Sequence, residues 1–195
     1  MAETLTWRLV GRNPHAIPPA DWRERLAARL GHRPRRLGLH AELALFGALE
    51  ALAEAGETSL AEPTLLRVCS ARGPISAVKT ALDQASEGLP LPFAFLQSQP
   101  SQMLAALSSA LQWQGDASFM VTADPLTLVT MSARQAGRRG LLLGWVDESP
   151  PQSEWLRFIP CDAPGQPFTP ATDFAQFSSG TARWLRLQDG RLDVA

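Results

Sequence analysis

Few residues in this chain are equipped for covalent or acid–base chemistry, and they are scattered. Cys69 and Cys161 lie far apart and match no metal-site spacing. Cys69 falls within the apolar run Leu65–Ala71, where a cysteine acts as a small buried hydrophobe. Cys161 sits in a loop with no histidine close by in sequence, so nothing there prepares a thiolate nucleophile. His15, His32 and His40 belong to no recognisable catalytic or metal pattern, and no G-x-S-x-G, Walker or G-x-G-x-x-G motif occurs. One acidic position has special geometry. Asp124 is followed by Pro125 and stands between a strand-favouring run and a segment of helical length. A carboxylate there has two possible roles: general acid or nucleophile, or N-cap. Capping accounts for the Asp-Pro pair by itself, because the carboxylate accepts unpaired backbone N–H groups and proline is already set to the helical φ.

The elements that position Asp124 form the centre of the sequence. Ser118–Thr122 reads as a strand, and Leu126, Leu128, Val129 and Met131 open a helix that Gly140 closes. Leu141–Val146 reads as a second, wholly apolar strand. This is a βαβ unit, and its apolar second strand implies a sheet covered on both faces.

The remaining chain alternates similarly. Strands are expected at Leu5–Val10 and Thr64–Ala71, and helices at Ala20–Leu30, Leu39–Ala55, Ile75–Ser86 and Gln99–Leu111. The small residues of Leu39–Ala55 predict close helix packing. Gly88–Pro100 reads as an ordered extended loop that buries Phe93, Phe95 and Leu96. Trp7, Trp22, Trp155 and Trp184 are expected at element edges. Glu148–Ser153 reads as a polar loop, Glu154–Ile159 as a short strand and Pro160–Gly180 as irregular wrapping. Asp189-Gly190 marks a hairpin between Ala182–Leu187 and Arg191–Val194. The basic connector Arg33–Arg36 reads as solvated.

The 195 residues suffice for one domain with a substantial core, and 45% hydrophobic with 19% charged residues describes a globular chain. A net charge of −1 gives no electrostatic case for nucleic acid or an anionic membrane. The polar Met1–Thr6 is unlike a signal peptide and no apolar run is long enough to span a bilayer, so a reducing cytoplasm is the expected location.

Several motifs, in order, resemble beta-ketoacyl synthases of the thiolase fold. Val121-Thr122-Ala123-Asp124-Pro125-Leu126-Thr127-Leu128 is similar to their nucleophile elbow V-x-T-A-C-S-S-S/G, with Asp124 in place of the cysteine. Pro92-Phe93-Ala94-Phe95-Leu96-Gln97-Ser98 resembles the P-F-x-x-P-x-S/T stretch upstream. Glu50–Gly56 resembles the helix ending E-A-L-x-x-A-G, and Leu141–Glu148 resembles the strand ending G-G-x-(D)-E. The resemblance runs from about Arg35 to Glu148 and implies a layered α-β-α, thiolase-like half-fold, truncated to the ketosynthase N-terminal domain. That domain would span residues 1–150. Residues 151–195 would be an irregular extension with a terminal hairpin, packed on the same domain.

The resemblance also implies function. A carboxylate at 124 cannot form an acyl thioester, and the ketosynthase His and Lys residues belong to the other half of the fold. The implied role is a non-catalytic subunit of chain-length-factor type, found in bacterial aryl polyene, type II polyketide or fatty-acid-like synthesis. Such a subunit pairs with a full-length ketosynthase and meets an acyl carrier protein through the complex, with no cofactor or metal. Ser118, Phe119, Met120, Val121 and Thr122 would form the partner seam, and Phe93, Ala94 and Phe95 would line the acyl tunnel. The alternatives are a stand-alone enzyme using Asp124, or an acyl-carrier docking module using Arg134, Arg138 and Arg139, whose bland reading is a solvated helix end.

Overall fold

The structure is a computed structural model that describes residues 4–13, 17–88, 91–162, 165 and 167–195. His15 and residues 89–90 of the expected loop lie outside the described residues.

In chain order the elements are β1 (Leu5–Asn13), α1 (Trp22–Leu30), α2 (Leu39–Glu54), β2 (Thr64–Ser70), α3 (Ile75–Ser86), α4 (Pro92–Gln97), α5 (Pro100–Ala110), β3 (Asp116–Val121), α6 (Pro125–Ala136), β4 (Gly140–Glu148), β5 (Pro151–Pro160), β6 (Thr169–Pro170), α7 (Ala175–Ser178), β7 (Trp184–Gln188) and β8 (Arg191–Val194). All strands join one sheet of order β3-β2-β4-β5-β1-β7-β8-β6. β3, β2 and β4 run parallel, and every pairing from β4 onward is antiparallel. The βαβ unit is therefore real, with β2 inserted between its two strands.

Alternation along the strands builds two cores, one on each face. Leu66 and Val68 of β2, Leu142 and Val146 of β4 and Trp155 of β5 meet α2, Met103 and Leu107 of α5, and Leu26 of α1. Leu65 and Cys69, Leu141 and Leu143, and Leu156 and Phe158 point the other way, against Leu128, Val129 and Ala133 of α6 and against Phe174 and Phe177. This is an α-β-α sandwich. The parallel strands β2 and β4 are buried on both faces, which is why their sequences are largely apolar, with Arg67 interrupting β2.

Helix α2 lies closest to the sheet. A Cβ on Gly47 would collide with Ser153 Oγ and the Trp155 ring, and one on Gly11 of β1 would strike the Ala51 carbonyl. Only glycine allows this approach, so the close packing expected of α2 is present.

The structure corrects several expectations. Gly88–Pro100 is not an extended loop: residues 92–97 form α4, started by Pro92 at its first turn. Phe93, Phe95 and Leu96 are not buried but 51%, 62% and 49% exposed. Trp7 and Trp155 lie fully inside the core rather than at element edges. α6 ends at Ala136 with Gly137 following, and Gly140 already belongs to β4. Glu148–Ser153 is not a loop but the junction of two long strands. Residues from 151 onward are correspondingly not irregular at first, because β5 runs ten residues in the middle of the sheet. The polar start of β5, Pro151-Gln152-Ser153, hid its length. Arg157 interrupts the apolar run yet is buried, with its guanidinium held by Glu57 at 2.8 and 3.0 Å. The terminal hairpin forms across Asp189-Gly190 as expected.

Candidate functional site

The elbow joins β3 to α6. Asp124 is extended, with φ −119° and ψ 109°. Its Oδ1 accepts the Leu126 N–H at 3.0 Å and its Oδ2 accepts the Thr127 hydroxyl at 2.9 Å. The Asp124 N–H in turn donates to Thr122 Oγ1 at 3.1 Å. Both carboxylate oxygens therefore face their own helix start, and the residue is exposed to solvent. The geometry is that of a cap.

The thiol nearest this elbow is on the neighbouring strand. Cys69 pairs across the ladder with Met120 of β3 and Trp145 of β4 and is completely buried. Burial first, then the charges of Asp147 and Asp124, push its thiol far above the ordinary range, so it is no nucleophile at neutral pH. Cys161 is half-buried in a cleft of about 410 Å³ between Thr4–Thr6 and Gly137–Arg138. Burial raises its thiol as well.

At the carboxyl end of the parallel strands lies a polar cluster that sequence reasoning did not single out. Asp147 accepts the Ser70 hydroxyl at 2.6 Å and the N–H of Ala71 at 3.1 Å. Ser70 Oγ accepts the Gly73 N–H at 2.7 Å. Glu148 Oε2 accepts the Ser76 N–H at 2.7 Å, in the first turn of α3. These carboxylates fasten the β2–α3 connection, which is a structural task. Two acidic residues ending an apolar strand were the available signal, since buried charges occur only where partners wait.

His40 completes the cluster from α2. It is buried, and its ring stands edge-on to Phe119 of β3, with centroids 5.8 Å apart and planes at 90°. Neither ring nitrogen has a partner, and neither does Glu148 Oε1. Burial lowers the His40 pKa, opposed by Glu148 and then Asp147.

The residues expected at a partner seam share one edge of the molecule. Among the described residues β3 pairs only with β2, so its outer edge is open. Phe119 and Met120 are half-buried and Val121 is 66% exposed. Beyond Asp116 the strand carries no charge. Of the nine large hydrophobics exposed among the described residues, six lie between Ile75 and Leu96, on α3, α4 and their junction. That concentration exceeds the single scattered hydrophobics usual on a protein surface. Phe93 and Phe95 belong to it, whereas Ala94 points into its own chain at 6% exposure.

Arg134 donates to the Gly190 carbonyl at 3.1 Å. Arg139 holds the Ala136 carbonyl at 3.0 Å and lies 3.6 Å from Asp116, and Arg138 is also engaged. Among the described residues no group of three His, Cys, Asp or Glu side chains is placed to hold a metal, and no helix is long and apolar enough to cross a membrane.

This layered α/β architecture is similar to the thiolase-like fold of ketosynthases, at the size of a half-fold. The chain is similar to a chain in the structure of the ketosynthase ApeO in complex with its chain length factor ApeC from Xenorhabdus doucetiae, with TM-score 0.54, 14% identity, and 99% of this chain and 98% of that one covered. It is also similar to the ishigamide ketosynthase/chain length factor, with TM-score 0.52 and 14% identity over 74% of this chain and 48% of that one, about half its length. A third likeness is to AntDE:AntF, a type II PKS acyl-carrier protein in complex with its ketosynthase bound to the hexaketide. There the TM-score is 0.56 at 11% identity, over 88% of this chain and 71% of that one. No protein-family model matches the sequence, and no curated protein does.

Proposed function

We propose that this chain is a non-catalytic ketosynthase-like subunit of chain-length-factor type that pairs with an active beta-ketoacyl-ACP synthase. The pathway would be bacterial aryl polyene, polyketide or fatty-acid-like synthesis, with the acyl carrier protein engaged through the complex. Residues 1–150 would be the ketosynthase-like unit and 151–195 an extension of the same domain. One observation carries the reading: β3, the elbow strand, is an open sheet edge among the described residues, free of charge after Asp116. The exposed hydrophobics of α3 and α4 add to it. Edge strands that stay unpaired in solution are normally protected by charge, proline or a bulge, and this one has none of these over Ala117–Val121. The elbow supports the non-catalytic half of the proposal: Asp124 caps α6, and by the motif resemblance it stands where the ketosynthase elbow has its cysteine.

In this reading Ser118, Phe119, Met120, Val121 and Thr122 form the seam, and Phe93 and Phe95 border the partner's acyl tunnel, with Ala94 packed behind them in its own chain. The test is co-expression with a ketosynthase encoded beside it, followed by size-exclusion chromatography and product analysis. The wild-type pair should co-purify. Val121→Lys, which places a charge on an exposed position, should separate it without unfolding the chain. Phe95→Ala should shift product length. Failure of the wild-type pair to co-purify, with product length indifferent to Phe95, would refute the proposal.

A further inference from the structure

His40 sits where α2, the seam strand and the end of β4 converge. From β3 it meets Phe119, which is uncharged, at 5.8 Å between ring centroids. From β4 it feels Glu148 and Asp147. Glu42, the other ionisable residue in the first turn of α2, is turned to Arg23 at 3.1 Å. α5 and α4 carry no charged residue. Asp147 is already occupied by Ser70 and the 71–72 backbone, whereas Glu148 keeps one buried oxygen without a partner. Both imidazole nitrogens are likewise buried and bare. A neutral ring tolerates this seat at the cost of two unmade hydrogen bonds. An imidazolium does not, because a buried cation requires a counter-charge in contact.

We propose that His40 makes the seam strand acid-sensitive: proton uptake draws the imidazolium toward the free Glu148 oxygen and off Phe119, loosening β3 and with it the partner seam. The strand's sensitivity stands on this chain alone, whereas its regulatory meaning rests on the proposed pairing. The sign follows from linkage. The folded pKa lies below the ordinary 6.5, so the neutral-ring contribution is complete above pH 6.5 and is lost as pH falls below it. The switch therefore operates in the mildly acidic range, where no carboxylate held low by an ion pair yet titrates.

The experiment is amide hydrogen exchange on the purified chain between pH 5 and 7.5, corrected for intrinsic rates. Protection over residues 117–121 is read relative to β5. In the wild type that ratio should fall as pH drops below 6.5, by up to about tenfold per pH unit, the full linkage of one proton. In His40→Phe it should be flat. A flat wild-type ratio, or an equal slope in His40→Phe, overturns the proposal. Should that variant not fold, ring NMR of the wild type decides. A His40 pKa below 6.5 whose titration moves the Phe119 ring signals supports the proposal, and a pKa at or above 6.5, or unmoved Phe119, defeats it. None of these measurements involves a ketosynthase, so they can fail while the pairing survives, and the reverse.

Discussion

Asp147 and Ser70 end neighbouring parallel strands, and the Ser70 hydroxyl donates to Asp147 Oδ1 at 2.6 Å. The same hydroxyl oxygen accepts from Gly73 at 2.7 Å, so a single contact links the end of β4 to the turn that leads into α3. α3 begins the apolar face assigned above to a partner. Asp147→Ala should therefore destabilise the fold by roughly 2–4 kcal/mol, since it strands a buried hydroxyl and two backbone donors together. Ser70→Ala should cost less, about 1–3 kcal/mol. Urea unfolding followed by tryptophan fluorescence measures both.

Asp124 should behave as a cap and nothing more. Asp124→Ala is expected to cost about 1 kcal/mol of stability. Asp124→Cys should not restore condensation in the isolated chain, because no His–Lys set accompanies it. Condensing activity from the purified wild-type chain, assayed with malonyl carrier protein, would overturn this expectation.

The two thiols should react in a fixed order. Cys69 is fully buried with its pKa driven up, while Cys161 keeps partial exposure. Iodoacetamide on the native chain at pH 8 should label Cys161 slowly and leave Cys69 untouched until denaturant is added. Peptide mass spectrometry distinguishes the two sites. Early labelling of Cys69 would mean that β2 opens more readily than its burial implies.

Acid should weaken a specific corner of the sheet. The Arg67 hydrogen bond holds the Asp116 carboxyl below its ordinary 3.8; burial opposes it, and the charges of Arg67 and then Arg139 lower it further. A lowered carboxylate contributes stability above the unfolded value, and that contribution disappears as pH falls through the folded one. Asp116→Asn should therefore flatten the stability profile below about pH 4 relative to wild type, without altering it near pH 7 by a pH-dependent amount. Urea midpoints across that range test the sign.

Gly47 should tolerate no side chain. Alanine is the better helix former by about 1 kcal/mol, yet its Cβ would strike Ser153 Oγ and the Trp155 ring. Ser153 is itself tied to the Leu43 carbonyl at 2.6 Å, so it cannot withdraw cheaply. Gly47→Ala should lower stability by a net 1–3 kcal/mol, read from the thermal midpoint. An increase would show that α2 can shift outward.

What the sequence alone determined was local. Asp124-Pro125 announced a capped helix, Asp189-Gly190 a hairpin, and the apolar run Leu141–Val146 of β4 a sheet covered on both sides. Each signal is carried by residues within a few positions of one another, acting through backbone geometry or strand period. The motif order around Asp124 likewise pointed to the ketosynthase-like architecture. Tertiary structure decided everything that depends on distant partners. Arg157 can be buried within β5 only because Glu57 pairs with it, and Trp155 reads as an edge residue until Gly47 makes room for it. Phe93 and Phe95 read as core residues because apolar character alone does not say which surface will cover them, and both stay more than half exposed. His40 carried no motif at all. Its place beside Phe119 and the free oxygen of Glu148 exists only because α2, β3 and β4 fold onto one another, and the burial that perturbs its proton has no counterpart in the linear chain.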